Sequence, residues 1–220
     1  MIISVQKKFE DILKSLESAN RIFLVGCGEC AATCKSGGEP EILEIKKKLE
    51  VQGKTVTGYV IPDAPCVASQ TKTALAKNTK ALKESDAILV MACGLGIQSV
   101  KANDRRELLV FPGCDTLFAG ATDSQGAFQE LCSACGECIL DSTGGICPVT
   151  RCSKGLLNGP CGGMDKGKCE VDKDRDCAWV LIYNELKKRG KLDLLSKAQA
   201  PKNYSKAARP RKLMVENKNG

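Results

Sequence analysis

"RIFLVGCGECAATCKSGGEPEILEIKKKLEVQGKTVTGYVIP", residues 21–62, decides the fold. Its first part, RIFLVGC (21–27), is a short apolar run and predicts a buried strand. GEPEILEIKKKLEVQG (38–53) has one apolar face, Pro40 near its start and Gly53 at its end, which predicts an amphipathic helix. KTVTGYVIP (54–62) is rich in β-branched residues and predicts a second strand. Strand, helix and strand in this order form a crossover unit, so the two strands run parallel.

The same alternation continues. SQTKTALAKNTKALKES (69–85) predicts a helix capped by Ser69, and DAILVMAC (86–93) a buried strand. GIQSVKAND (96–104) predicts a short helix and RELLVFPGC (106–114) a fourth strand. Upstream, Val5, Phe9, Ile12, Leu13 and Leu16 recur at helical spacing, so residues 4–19 are expected to be helical. CAWVLIYNELKKRGKLDLL (177–195) predicts a late helix. The expected class is α/β. An open parallel sheet of Rossmann or flavodoxin type is followed by a cysteine-rich, metal-cluster-stapled module and a C-terminal helix. The expected divisions are an α/β domain over 1–125, the cysteine-rich module with its closing helix over 126–197, and a basic tail over 198–220.

Fourteen cysteines and no histidine dominate the composition. The N-terminus has no apolar core of a signal peptide, and no run of roughly 18 apolar residues offers a membrane span. A cytoplasmic location is expected, where thiols seldom become structural disulfides. The absence of histidine excludes Cys/His zinc fingers, Rieske centres and a histidine base. The sulfurs therefore point to metal or cluster ligation by cysteine.

Two sets stand out. Cys27, Cys30 and Cys34 form C-x2-C-x3-C in a glycine-rich turn after the first strand. Cys66 and Cys93 follow later strands, so all five converge on the carboxyl edge of a parallel sheet, where ligands bind. Cys114 reads equally as a buried filler. The same turn matches G-x-G-x-x-A over Gly26–Ala31, a weak form of the dinucleotide fingerprint. The acid expected roughly twenty residues on falls later, at Asp63.

The second set is denser. Residues 132–177 hold eight cysteines: Cys132, Cys135, Cys138, Cys147, Cys152, Cys161, Cys169 and Cys177. Glycine is frequent among them and large apolar residues are few, so the segment needs a staple in place of a core. Cys132, Cys135 and Cys138 have the C-x2-C-x2-C spacing that wraps a corner of a cubane, and Cys147 precedes a proline, as the fourth cysteine of bacterial ferredoxins does, so Cys147 and Cys152 are expected to serve a neighbouring cluster. Zinc sites favour paired knuckles. The pattern favours two [4Fe–4S] clusters in 132–177, with a third metal site, iron–sulfur or zinc, on the sheet rim. Asp141 and Asp174 read as turn formers.

The charge is uneven. Residues 187–220 hold eleven Lys and Arg against Asp193 and Glu216, formally +9, which leaves −2 for the rest of a +7 chain. Aromatics are only 4% and do not interleave with the basic residues, so nucleic acid is not the expected partner. From Ala198 onward an extended, solvated tail docking on a partner protein is expected.

The run CSACGECILDSTGGICPVTRCSKGLLNGPCGG, with GKCEVDKDRDCAWVLIY after it, resembles the small iron–sulfur subunit of acetogen-type methylenetetrahydrofolate reductase. The same unit occurs as the C-terminal domain of methylenetetrahydrofolate reductases. VGCGECAATCKSGGEPEI and ACGLGIQ are also similar to that family. The resemblance implies that a separate flavoprotein subunit binds folate and FMN and reduces methylene- to methyl-tetrahydrofolate. The small subunit then relays electrons to it from other redox modules, with the eight cysteines of 132–177 as cluster ligands. The rival readings are a zinc-stabilised docking subunit of the same complex, and an oxidoreductase with a nucleotide on Gly26–Ala31.

Overall fold

The computed structural model describes residues 1–214. The chain divides into two compact units, Met1–Phe118 and Ala119 onward. The Glu216 and Lys218 of the basic tail lie outside the described residues.

The first unit is built on four parallel strands in the spatial order β3-β2-β4-β5: β2 Arg21–Val25, β3 Thr55–Val60, β4 Ala87–Val90 and β5 Leu109–Pro112. The chain moves outward from β2 to β3 and then returns to β4 on the other side, so the order of winding reverses between β2 and β4. The central strands are buried from Ile22 to Val25 and from Ala87 to Val90, because both sheet faces are covered. Ile22, Leu24, Leu89 and Met91 pack on one face with Ile12 and Leu16, and with Ile42, Ile45 and Leu49 of α3 (Glu39–Val51). Phe23, Val25, Ile88 and Val90 point the other way. There they meet Leu75 of α4 (Ala68–Lys77), Leu82 of α5 (Thr79–Lys83) and Val100 of α6 (Gly94–Asn103). The period-two alternation of one apolar strand thus supplies two cores at once.

Three expectations change. Residues 4–19 are not one helix: Ile2–Gln6 forms strand β1, and only Phe9–Ser15 forms helix α1. Ile2, Ile3 and Val5 are β-branched and extend readily, and Val5 is exposed rather than part of the helical face. Residues 69–85 are broken at Asn78, whose side chain donates back to the Ala74 carbonyl while the Thr79 hydroxyl donates to Ala76. Such local bonds compete with helix continuation. The cap of α4 is Val67, and Ser69 lies inside the helix.

A hairpin also follows the parallel sheet. Strand β6 (Cys114–Thr122) pairs antiparallel with β7 (Phe128–Cys132), and a second sheet has the order β1-β6-β7. The Asp123 carboxylate accepts from the Gln125 and Ala127 amides and from the Gln129 side chain, and Gly126 takes a left-handed φ of 83°. The rest of the second unit has little regular structure: a short helix α7 (Pro148–Arg151), helix α8 (Ala178–Lys188), and 3-10 turns at Leu192–Ser196 and Tyr204–Ala207. Its core is small, formed by Cys177, Trp179, Ile182 and Leu186. Among the described residues no helix is long and apolar enough to cross a membrane.

Asp86 ties the start of β2 to the start of β4. Its carboxylate accepts from the Asn20 and Arg21 amides and from the Arg21 guanidinium at 2.7 Å. The Arg21 side-chain hydrogen bond, followed by the two backbone donors, lowers the Asp86 pKa from 3.8 to about 2. A depressed carboxylate stabilises the fold above its unfolded pKa and stops doing so as pH falls through the folded value. Asp86→Asn should therefore melt below the parent chain near neutral pH, and the two melting temperatures should converge as the pH approaches 2. Equal melting at neutral pH would refute this role.

Candidate functional site

The carboxyl edge of the parallel sheet gathers sulfur, as the strand ends predict. Cys27 follows β2, Cys66 follows β3, Cys93 follows β4 and caps α6, and Cys114 follows β5. Cys27, Cys93 and Cys114 are buried, whereas Cys66 is exposed. Cys30 and Cys93 each lie within electrostatic reach of Cys27, and Cys114 within reach of Cys27 and Cys93. Cys30 and Cys34 bracket the short helix α2 (Cys30–Thr33) one turn apart, and both meet β1: the Ile2 amide donates to the Cys30 sulfur at 3.4 Å, and the Cys34 thiol donates weakly to the Ile2 carbonyl. The rim therefore brings Cys93 towards the Cys27 turn, and leaves Cys66 in solvent.

Close backbone approach sets this edge. A Cβ on Gly37 would stand 1.8 Å from the Met91 carbonyl oxygen, so only glycine fits there. The Gly26–Ala31 turn is equally committed. The Gly26 amide donates to Val60, Cys27 to Gly37 and Gly28 to Pro62. A phosphate-cradling loop needs such amides pointing at the ligand, and here all three are bonded to the chain itself.

Burial holds the Cys27 and Cys114 thiols in the neutral form. Burial raises the Cys27 pKa, and its S–H faces the Asp63 carbonyl at 3.6 Å. Burial also pushes Cys114 up to about 12, and its thiol donates to the Ser36 carbonyl at 3.2 Å.

In the second unit four of the eight cysteines lie at the end of β7, in the loop after it and at the cap of α7, and four line one cavity. Cys132 ends β7, and the loop after it carries Cys135 and Cys138. The Ala134 amide donates to the Cys132 sulfur at 3.3 Å, with Ala134 itself at a left-handed φ of 52°. A hydrogen bond from the Glu137 backbone, and then the charge of Lys202, lower the Cys135 pKa. Cys147 caps α7, whose Thr150 hydroxyl donates to the Leu131 carbonyl and whose Arg151 donates to Gln129, so α7 is tied to the strand that ends in Cys132.

The other four cysteines, Cys152, Cys161, Cys169 and Cys177, line one cavity of about 20 Å³ with Trp179 on its wall. Cys177 caps α8, and its amide donates to Gly167; the Cys169 amide donates to Arg175. Backbone donors at Val171 and Asp172, then the Ser153 hydroxyl, lower the Cys169 pKa. Ion pairs Lys168–Asp176 at 2.8 Å and Lys154–Glu170 fasten the loops around it. Asp172 makes the local turn, accepting from the Asp174 amide. A larger cavity of about 530 Å³, walled by Leu157, Tyr183 and Leu194, shares Trp179 with it.

Among the described residues, no three Cys, Asp or Glu side chains stand close enough to hold a metal ion as placed. The chemistry of the donors nonetheless fits a thiolate-bound metal: four cysteines around one cavity match the four-coordinate requirement of zinc or of a cubane.

Sequence reasoning missed Glu137 and Lys202. Glu137 sits between Cys135 and Cys138 and binds Lys206 at 2.9 Å and the Asn203 amide at 2.8 Å. The tail, expected to be extended, folds a 3-10 turn and bonds back to the cysteine loop of its own unit. The position of Glu137 inside the motif was a visible signal; nothing distinguished Lys202 from the other lysines of the tail.

Fold and site together define a two-unit α/β protein: a parallel sheet with a cysteine-lined edge, followed by a unit with a small core and two groups of cysteines. Residues 111–205 match the family described as methylene-tetrahydrofolate reductase C terminal, so this segment is similar to that domain. No curated protein and no solved structure matches the chain.

Alkylation of the folded, metal-free chain near pH 8 checks the thiol environments. Exposed Cys66 and Cys138 should react readily. Cys114 should be protected, because a pKa of about 12 rather than 9.0 leaves roughly a thousandfold less thiolate. Modification of Cys114 as fast as Cys66 would refute its burial.

Proposed function

We propose that the chain is the electron-transfer subunit of a cytoplasmic methylenetetrahydrofolate reductase complex. It would relay electrons from other redox subunits, through [4Fe–4S] clusters, to the FMN of a flavoprotein that reduces methylene- to methyl-tetrahydrofolate. One observation carries this reading: the eight cysteines from Cys132 to Cys177 lie inside the matched segment, and four of them line a single cavity in a chain without histidine. Two four-cysteine sets would hold the two clusters, Cys132, Cys135, Cys138 and Cys147 in one, and Cys152, Cys161, Cys169 and Cys177 in the other. Bound there, such clusters would supply one-electron storage and transfer.

The chain's own residues present and insulate the sulfurs. The loop after β7 spaces three thiols, the two caps at Cys147 and Cys177 fix a fourth for each set, and Trp179 with the apolar face of α8 covers Cys177 and part of Cys152. We further read the first unit as a flavodoxin-like sheet. A third site would use Cys27, Cys30 and Cys34, with Cys93 a better fourth ligand than Cys66, which is exposed.

The second reading is a zinc-stabilised docking subunit of the same complex. The lining of one small cavity by four cysteines supports it, since four thiolates complete a structural zinc site. Anaerobic purification with iron and zinc analysis separates the two. The electron-transfer reading expects about eight irons per chain from two cubanes, a brown protein and EPR signals on reduction. Fewer than about four irons, with zinc in their place and no absorbance near 400 nm, would overturn it. Cys161→Ser should lower the iron content by about four per chain and reduce the melting temperature, because the metal stands in for a core.

A further inference from the structure

Lys202 is buried, with 7% of its surface exposed, and among the described residues it is the only buried Lys or Arg. Lysine is rarely buried without a counter-charge. Its ammonium donates to the Glu137 carbonyl and reaches the Cys135 sulfur. The Glu137 carboxylate is already engaged by Lys206 and the Asn203 amide, so it is not free to serve Lys202 alone. Arg211 donates to the Ala134 carbonyl at 2.8 Å and to Lys206, and a Cβ on Gly136 would stand 3.0 Å from Lys206. The segment 202–211 therefore lies directly against the loop between Cys132 and Cys138. What this arrangement lacks is an anion of comparable burial beside Lys202. A thiolate-ligated metal centre carries a net negative charge, and a sulfur ligand gains from an N–H donor.

We propose that Lys202 is a positioning residue for the Cys132–Cys135–Cys138 loop: the C-terminal segment clamps that loop, and the Lys202 ammonium supplies a positive charge against the Cys135 sulfur. This rests on the reading of the loop as a ligand loop. The charge makes the centre easier to reduce, and the clamp orders the loop before metal arrives.

The test uses the full chain as parent, Lys202→Met and Lys202→Gln. In the metal-free chains, hydrogen exchange is followed across residues 132–138 and, as a reference, α8. Lys202→Met should exchange at least several-fold faster in the loop with α8 unchanged. Lys202→Gln keeps a donor for the Glu137 carbonyl and should stay closer to the parent. After anaerobic reconstitution with iron and sulfide, both variants should lower the reduction potential of one centre and leave the other unmoved, since both lose the charge. Loop exchange and potentials indistinguishable from the parent would overturn the proposal. If the parent loop takes up no metal, the electron-transfer reading falls, and exchange alone decides whether the clamp exists.

Discussion

The parallel sheet can exist only because each central strand is buried on both faces. Ile22, Phe23, Leu24 and Val25 send alternate side chains to opposite cores, so one apolar run demands helices on each side. Crossovers satisfy that demand, and crossovers force every carboxyl end to one edge. Cysteines placed just after β2, β4 and β5 then meet without any local contact between them in sequence. The Gly37–Met91 approach closes the edge tightly enough to bury three of those thiols.

The second unit obeys a different constraint. Among the described residues its core is Cys177, Trp179, Ile182 and Leu186, all from α8 or its cap. Hydrophobic burial on that scale cannot offset the conformational entropy of so long a glycine-rich segment. Sulfur, ion pairs and backbone turns carry the remainder, which is why its cysteines cap helices and line a cavity instead of filling a core. The lysines of the tail take part in the same economy, since Lys202, Lys206 and Arg211 bind carbonyls and a carboxylate of the cysteine loop.

Strong periodicity made the parallel sheet legible, including its four strands, α3 and the cysteines at its rim. The errors fall where local chemistry competes with pattern. Val5 fits a helical spacing by coincidence while β-branching extends the chain. Asn78 interrupts a continuous apolar face through a side-chain bond that periodicity does not register. The hairpin β6–β7 depended on Asp123 and Gly126, turn residues that were readable but masked by the change of texture around them. The eight cysteines of 132–177 could be counted from sequence, and no spacing announces that Cys152, Cys161, Cys169 and Cys177 share one cavity. The approach of the tail could not be read, because a long-range ammonium–carbonyl contact leaves no period and no spacing.

Trp179 is the chain's only tryptophan, and it stands in the wall shared by the four-cysteine cavity and the larger apolar one. Its indole N–H is anchored to the Leu156 carbonyl at 3.0 Å, so the ring has a fixed place. The protein thus carries a single built-in fluorophore beside its sulfur cluster of side chains. A centre that absorbs broadly in the near ultraviolet would drain that emission, whereas a colourless ion would leave it bright, so the glow of one residue would report the nature of any metal bound there.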